Sequence, residues 1–150
     1  LIAGDGPRRE VISNWVKDSG LAARIHLIGH RDDVPDVLAA MDIFALPSFA
    51  NEGVPQAILQ AMAMKLPVVS TNVGAIEEAV IDQKTGLIVE PKDSRALALA
   101  LNSLISDPNK RHDFASNARN WVEQNFSIEH MALRMQDIFC QLTTRERCSK

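Results

Sequence analysis

The feature that most constrains this fold is a series of short apolar runs separated by helical segments. Strands that are apolar without alternation are buried on both faces, which is the environment of a parallel sheet covered by helices. The spacing leaves room for one short helix between successive strands. Five runs are predicted to be strands: Leu1–Ala3, Ile25–Ile28, Ile43–Leu46, Pro67–Ser70 and Gly86–Val89. The pattern predicts an α/β fold of three layers, with a parallel sheet between helices.

Beyond Pro91 the pattern changes, and only helices are predicted. Asp93, Asp107 and Ser127 each precede an amphipathic segment, in the position of a helix N-cap. The last segment carries an apolar stripe at helical spacing, made of Ile128, Met131, Ala132, Met135, Ile138, Phe139 and Leu142. Because such stripes usually belong to a core, we expect this one to be buried. The domain should therefore end in three helices.

Composition excludes several classes of protein. A length of 150 residues suits one domain with a real core. The net charge of -3 comes from 16 basic and 19 acidic residues, without a basic stripe, which argues against nucleic-acid binding. No apolar run is long enough to predict a membrane-spanning helix. The histidines and the two cysteines lack metal-ligand spacing, so we predict no metal site and reduced thiols in a cytoplasmic protein.

The most informative segment is Pro47–Lys65, which follows the third predicted strand. Pro55 suits the first turn of a helix, where the missing N–H costs nothing. From Ala57 to Ala63 this helix is apolar almost all round, so it should be buried. The first turn of a helix leaves backbone amides without an intrahelical partner, at the positive end of the helix dipole. Such amides can bind an anion. The candidate donors are the amides of Gly53, Val54, Gln56 and Ala57.

Glu52 stands immediately before this N-terminus, and two interpretations are open. An acidic side chain at the start of a helix stabilises the helix dipole. A carboxylate also accepts hydrogen bonds from hydroxyl groups, so Glu52 suits a ligand that carries both phosphate and hydroxyls. Spacing alone favours the first interpretation, because acidic residues are common at helix starts.

The segment Pro47–Val69 resembles the donor-binding signature of family 4 glycosyltransferases, which have the GT-B fold. The shared features are Pro-Ser, then Glu-Gly-x-Pro, Leu-x-Ala-Met-Ala and Pro-Val-Val. The family carries one glutamate, seven residues, and a second glutamate. Here Glu52 matches the first, whereas the second falls on Gln60. Since Gln60 keeps an acceptor oxygen and adds donors, the resemblance implies a weaker contact at that position.

This resemblance covers nearly the whole chain, from Gly4 to about Leu142. Further matches are Gly4–Pro7, Thr85–Pro91, Asp107-Pro108 and Phe126-Ser127. They imply that residues 1–150 form a single Rossmann-like donor-binding domain, the C-terminal half of a GT-B glycosyltransferase. Leu1 is not an initiator and opens inside a predicted strand. We therefore expect a domain truncated at its N-terminus, with the acceptor-binding N-terminal domain not present.

The resemblance implies a role for each candidate site residue. Glu52 is expected to act as the catalytic residue beside the donor sugar, and Gln60 to contact the ribose. The loop that starts at Gly29 is expected to lie against the nucleobase, contacted by backbone around Arg31 and by the Asp33 carboxylate. Two alternatives stay open, in which Asp33 caps the next helix and Arg31 faces phosphate. Backbone N–H groups expected to bind phosphate or sugar are those of Gly53, Val54 and Gln56.

Two glycine motifs are interpreted as turns. Gly4-Asp5-Gly6 lacks the third glycine of a dinucleotide-binding fingerprint, so a tight turn explains it better. Gly74 resembles a glycine in the family's Gly-Gly-x-x-Glu turn, and a tight backbone turn is sufficient to explain it. Neither motif is expected to be catalytic.

The implied activity is transfer of a sugar, with retention, from a nucleotide-diphosphate sugar to a glycan or lipid-linked acceptor. Such a reaction belongs to polysaccharide or glycolipid biosynthesis and is expected to need no metal or other cofactor. The acceptor would be held by the N-terminal domain, and the longer protein could associate peripherally with a membrane. This chain alone is expected to bind the donor weakly and to transfer nothing. Two alternatives are a non-catalytic glycosyltransferase-like subunit, which Gln60 favours, and a sugar-nucleotide epimerase of the same fold.

Overall fold

The computed structural model describes residues 1–50 and 52–148, and the chain divides into two units, Leu1–Met41 and Asp42–Lys150. The first unit contains a two-stranded parallel sheet, in which Ile2 pairs with Leu27 and Ala3 with Gly29. Its elements are β1 (Ile2–Ala3), α1 (Arg9–Asp18), β2 (Leu27–Gly29) and α2 (Val34–Ala39).

The first unit buries only part of the apolar side chains of α1. Val16 is buried, whereas Val11 and Trp15 are exposed. A sheet of two very short strands offers too little surface to cover a whole helix face.

The second unit is built on a three-stranded parallel sheet with the order β3-β4-β5. Phe44 pairs with Val68, and Val68 pairs in turn with Gly86. Its elements are β3 (Phe44–Leu46), α3 (Gln56–Ala63), β4 (Val68–Thr71), α4 (Ile76–Ala79), β5 (Gly86–Val89), α5 (Ser94–Ser106), α6 (Pro108–Asn125) and α7 (Ile128–Cys148). The predicted α/β class with parallel strands is confirmed, as is the end in three helices.

The core of the second unit surrounds β4, whose four residues are all buried. On one face Val69 packs in a cluster with Leu87, Leu104 of α5 and Phe114 of α6. Successive strand residues point to opposite faces, so the buried Val68 must be covered from the other face. The helix α3 packs against β3 and β4 and contributes buried side chains of Ile58, Ala61 and Met62. This is the layered arrangement that the uninterrupted apolar runs predict.

Three predicted N-caps stand at the starts of the last three helices. The Asp93 carboxylate accepts a hydrogen bond from the Ala96 amide at 2.8 Å, and Asp107 accepts one from Lys110 at 3.0 Å. The Ser127 hydroxyl oxygen accepts from the His130 amide at 3.1 Å. Each bond satisfies one of the amides that a helix start leaves without a partner. The three predictions are confirmed.

The prediction that the apolar stripe of α7 is buried is wrong. Every described side chain from Met131 to Thr143 is exposed, including Phe139 at 58%. Periodicity shows that a helix has an apolar face, but it does not show that this unit covers the face. Among the described residues, no helix is long and apolar enough to cross a membrane.

Substitution of a buried and of an exposed phenylalanine tests which helix faces are packed. We expect Phe114→Ala to lower the free energy of unfolding by about 3–5 kcal/mol, because this 7% exposed side chain fills the cluster around Val69. Phe139→Ala should change it by no more than about 0.5 kcal/mol, as surface substitutions do. Chemical denaturation of both variants measures the difference. If Phe139→Ala lowers the free energy of unfolding about as much as Phe114→Ala does, the apolar face of α7 is buried and the exposed assignment is wrong.

Candidate functional site

The loop between β3 and α3 is fastened to the sheet by two buried hydroxyl groups. Ser70 Oγ donates a hydrogen bond to the Leu46 carbonyl at 2.7 Å, and Thr71 Oγ1 donates to the Ser48 carbonyl at 2.6 Å. Both residues belong to β4 and are almost fully buried. An unpaired buried hydroxyl costs about 1–3 kcal/mol, so the fold favours the loop conformation that keeps these bonds.

Glu52 is held in this loop through its side chain and its backbone. Ser48 Oγ donates a hydrogen bond to Glu52 Oε1 at 2.8 Å, and the Ala75 amide donates to the Glu52 carbonyl at 3.1 Å. The Glu52 side chain is half-buried. It lines a cavity of about 270 Å³ together with Leu46, Pro47, Ser48, Phe49 and Ala50. Glu52 therefore borders a space that a small ligand can enter.

Gly74 lets the backbone of Glu52 approach the turn after β4. It adopts a left-handed conformation with φ of +58°, and a Cβ atom there would lie 1.9 Å from the Glu52 carbonyl oxygen. No side chain fits at that distance, so only glycine permits the bond from Ala75. The predicted tight turn is confirmed, and the structure adds that this turn supports Glu52.

The N-terminus of α3 lies three residues beyond Glu52. The helix begins at Gln56 after Pro55, which serves as an N-cap in an extended conformation and makes no side-chain cap bond. First-turn amides of a helix have no intrahelical partner, so those of Gln56 and Ala57 depend on water or a ligand. Gln60 lies one turn along from Gln56, on the same helix face, and both side chains are exposed. Binding of an anion by these amides stays a prediction.

The loop after β2 belongs to the first unit and is organised by an ion pair. Arg31 Nε donates to Asp33 Oδ1 at 2.7 Å, and Arg31 Nη2 donates to Asp33 Oδ2. Asp33 occupies the N-cap position of α2 but makes no side-chain cap bond. The interpretation of Asp33 as a capping side chain is therefore wrong. Bidentate, charge-assisted pairing with a guanidinium is stronger than a bond from a neutral amide.

This ion pair keeps both groups charged. The hydrogen bonds from Arg31 hold the pKa of Asp33 below its usual range, with a smaller contribution from the Arg31 charge. The same bonds, followed by attraction to the Asp33 charge, raise the pKa of Arg31. The pair is exposed, so it adds little to stability. Its consequence is a carboxylate that remains ionised, beside a guanidinium that is already engaged.

The eight candidate site residues form two groups, one in each unit. Gly29 ends β2 with φ of +70°, and its carbonyl accepts a hydrogen bond from Gly4. Arg31 and Asp33 follow it in the first unit. The second unit places five candidates after β3 and in the first turns of α3, namely Glu52, Gly53, Val54, Gln56 and Gln60. Both groups follow the carboxyl end of a parallel strand, where open α/β sheets bind ligands. Their binding roles stay predictions.

Sequence reasoning missed the side chains that support Glu52. Ser48 was interpreted only as part of a motif and Ser70 only as the end of a strand, while Thr71 was assigned no role. The available signal was two hydroxyl residues closing an otherwise apolar run, since buried hydroxyls need acceptors. Among the described residues, no three His, Cys, Asp or Glu side chains are grouped so as to hold a metal ion.

The architecture shows the fold class of this protein, and its sequence shows the family. In the second unit, parallel strands with helices on both faces of the sheet define an α/β domain of the doubly wound class. The sequence profile of the family described as glycosyl transferases group 1 matches residues 1–121. The chain belongs to that family.

Individual relatives agree with this assignment. An Escherichia coli UDP-Gal:alpha-D-GlcNAc-diphosphoundecaprenol alpha-1,3-galactosyltransferase is 29% identical over 147 residues, covering 97% of this chain and 38% of its own length. The lipopolysaccharide core biosynthesis mannosyltransferase LpsB of Rhizobium meliloti is 33% identical over 126 residues, covering 83% of this chain and 36% of its own.

A solved structure gives the same result for the fold. Anabaena HepE in complex with UDP superposes with a TM-score of 0.84 at 28% identity, covering 93% of this chain and 40% of HepE. HepE has also been solved in complex with UDP-glucose. This chain spans about two fifths of the length of these relatives.

Two glycines with similar backbone angles test the support of Glu52. Gly20 has φ of +70° and open space around its missing Cβ, whereas Gly74 abuts the Glu52 carbonyl. We expect Gly20→Ala to cost about 1–2 kcal/mol of stability, the strain of a left-handed alanine. Gly74→Ala should cost about 1–3 kcal/mol more, from overpacking. Chemical denaturation gives the costs, and NMR of the Glu52 and Ala75 amides should show displacement in Gly74→Ala alone. Equal costs without displacement would contradict the close approach.

Titration of Asp33 tests the ion pair. Its lowered pKa means that the stability contributed by the pair is present above the unfolded pKa and is lost as pH falls through the folded pKa. Arg31→Gln should raise the pKa of Asp33 towards that of an ordinary aspartate, measured by NMR of its carboxyl carbon against pH. Arg24→Gln, at an exposed arginine of the same unit, is the control and should leave the curve in place. An unchanged Asp33 curve in Arg31→Gln would contradict the pairing.

Proposed function

We propose that this chain is the donor-binding domain of a retaining glycosyltransferase. The longer protein would transfer a sugar from a nucleotide-diphosphate sugar to an acceptor in polysaccharide or glycolipid biosynthesis. The observation that carries this proposal is the placement of a half-buried Glu52 carboxylate, fastened by Ser48, just before the uncapped N-terminus of α3. The UDP and UDP-glucose complexes of HepE, and the UDP-galactose named for the Escherichia coli relative, support a nucleotide sugar as the ligand.

The α3 N-terminus supplies the charge stabilisation that the reaction needs. When the bond between the anomeric carbon and the diphosphate breaks, negative charge grows on the diphosphate oxygens. Backbone amides and the positive end of the helix dipole stabilise such charge without reorganising. The amides of Gly53, Val54 and Gln56 are the donors assigned to this role, whereas Pro55 has no N–H to give. The chemistry assigned to this domain therefore uses no metal.

Glu52 is assigned to the hydroxyl groups of the donor sugar. Ser48 engages Oε1, so Oε2 keeps its capacity to accept a hydrogen bond. The bonds from Ala75 and Ser48 hold the carboxylate in place before the ligand arrives, which reduces the ordering that binding requires. A positioned acceptor favours one sugar configuration over its epimers, because a hydroxyl pointing elsewhere leaves the carboxylate unpaired.

The nucleoside is assigned to the remaining candidates. Gln60 is exposed on the same face of α3 as Gln56, so its amide oxygen is available to accept a hydrogen bond from a ribose hydroxyl. The loop from Gly29 to Asp33 would contact the base, through backbone around Arg31 and an Asp33 carboxylate that stays ionised. The pairing of Arg31 with Asp33 makes Arg31 a weaker candidate for the diphosphate.

One observation favours a second function. Gln60 stands where the family resemblance implies a glutamate, and a neutral amide binds a ribose hydroxyl less strongly than a carboxylate does. A non-catalytic, glycosyltransferase-like subunit would tolerate that loss, whereas a transferase would bind its donor more weakly. Donor hydrolysis by the longer protein separates the two functions. Activity that Glu52→Ala abolishes and Gln60→Glu increases supports the transferase.

Nucleotide binding by the 150-residue chain tests the donor role directly. Titration of UDP and GDP, followed by NMR, should shift amides in residues 29–33 and 52–60. Gln60→Glu should tighten binding by up to about tenfold, because charge-assisted hydrogen bonds are roughly twice as strong as neutral ones. Glu52→Gln should weaken UDP-glucose more than UDP, since only the sugar reaches it. Glu78→Gln, an exposed glutamate of α4, is the control and should alter neither affinity. No shifts in either segment would rule out donor binding.

A further inference from the structure

A second cavity of the second unit shares two lining residues, Pro47 and Phe49, with the Glu52 cavity. It has a volume of about 190 Å³ and lies among Pro47, Phe49, Thr71, Glu90, Lys92 and Ser94. Phe49 also lines the cavity of Glu52. The lining residues come from the loops after β3 and β5, from the ends of β4 and β5, and from the start of α5. The cavity therefore opens at the same edge of the sheet as the proposed donor site.

Phe49 is the unusual member of this cavity, because its side chain is 68% exposed. Lys92 Nζ lies 5.8 Å from the centre of its ring, within the range of a cation–π contact. Lys92 itself has φ of +64°, a left-handed conformation that costs a non-glycine residue about 1–2 kcal/mol. The loop thus presents an ammonium group beside an aromatic ring that remains open to solvent. We name Phe49, Glu90 and Lys92, with the cavity between them, the Phe49–Lys92 cleft.

The polar groups of the cleft suit hydroxyl groups. The Lys92 ammonium can donate to hydroxyl oxygens. The Glu90 carboxylate accepts from Asn72 Nδ2 at 3.0 Å through one oxygen, which leaves acceptor capacity on the other. Asp93 is occupied in capping α5. One donor and one acceptor beside an open aromatic face match a saccharide ring, whose weakly positive C–H groups lie against the negative face of an aromatic ring.

The size of the cleft limits the ligand. Pockets for drug-sized molecules measure roughly 300–1,000 Å³, so a cavity of about 190 Å³ holds one sugar ring and not a whole nucleotide sugar. In the proposed function, the donor sugar occupies the neighbouring cavity at Glu52. A sugar ring in the cleft would then lie next to the donor sugar, with Phe49 contacting both. An acceptor has to lie next to the donor sugar, so this position suits an acceptor.

We propose that the Phe49–Lys92 cleft binds a pyranose ring of the acceptor, and that Phe49 is the residue on which this ring stacks. The inference rests on the proposed function, since the assignment to the acceptor depends on a donor at Glu52. It gives this domain a direct part in acceptor recognition, alongside whatever the rest of the longer protein contributes.

Simple glycosides test the cleft in the 150-residue chain. Methyl α-D-glucopyranoside, galactopyranoside and mannopyranoside are titrated at millimolar concentrations in the presence of saturating UDP. At least one should shift the amides of Phe49, Lys92 and Ser94. Phe49→Ala should weaken that binding about tenfold through loss of the stacking surface, while Phe49→Tyr should retain it. Phe139→Ala removes a comparably exposed ring from α7 and is the matched control, with no expected effect.

The outcomes separate the cleft from the donor site. UDP binding without any glycoside shift at the cleft, or glycoside binding unchanged by Phe49→Ala, overturns the inference and leaves the donor role standing. Displacement of the glycoside by UDP-glucose but not by UDP shows the donor sugar in the cleft, which also overturns the acceptor assignment. Glycoside binding at the cleft without UDP binding overturns the proposed function and, with it, the assignment to an acceptor.

Discussion

The second unit depends on the complete burial of β4. Its valines supply apolar contact to the helix layers, while its pairing with β3 and β5 satisfies the backbone on both edges. Ser70 and Thr71 bring hydroxyl groups into the same buried strand, and these must find acceptors there. They find them on the carbonyls of Leu46 and Ser48. The burial that stabilises the sheet therefore also determines the conformation of the loop that carries Glu52.

The chain of contacts continues from the sheet to the candidate site. Thr71 fastens the Ser48 backbone, Ser48 holds the Glu52 carboxylate, and the turn at Gly74 holds the Glu52 backbone. A functional group held at several points by a packed strand keeps its geometry better than one on a free loop. A site built this way can stay open to a ligand without collapsing. The adjoining Phe49–Lys92 cleft has looser support, because its ring and ammonium are both at the surface.

Sequence patterns predicted local structure well and burial less well. In the described part of the chain, the five predicted strands and the helices α3, α5, α6 and α7 occur close to where apolar runs, N-caps and Pro55 indicate them, because these signals act within a few residues. The strand β2 runs from Leu27 to Gly29, whereas Ile25–Ile28 was predicted. The α7 stripe was expected to be buried and is exposed. Periodicity identifies which side chains share a face, but covering that face requires another element. The interpretation of Asp33 as a cap of α2 was wrong for a related reason. Its carboxylate pairs with the Arg31 side chain and not with the amides of the helix start beside it.

The sequence by itself determined the α/β class, the order of the elements, and the family to which the segment around Glu52 belongs. These depend on apolar runs, turn residues and short motifs, which are local properties of the chain. Only the tertiary structure decided how Glu52 is held and which surface adjoins it. Gly74 contacts Glu52 although 22 positions separate them in the sequence, and Lys92 lies near Phe49 although 43 positions separate them. Contacts at such separations exist only once the strands have paired and brought their carboxyl ends to one edge.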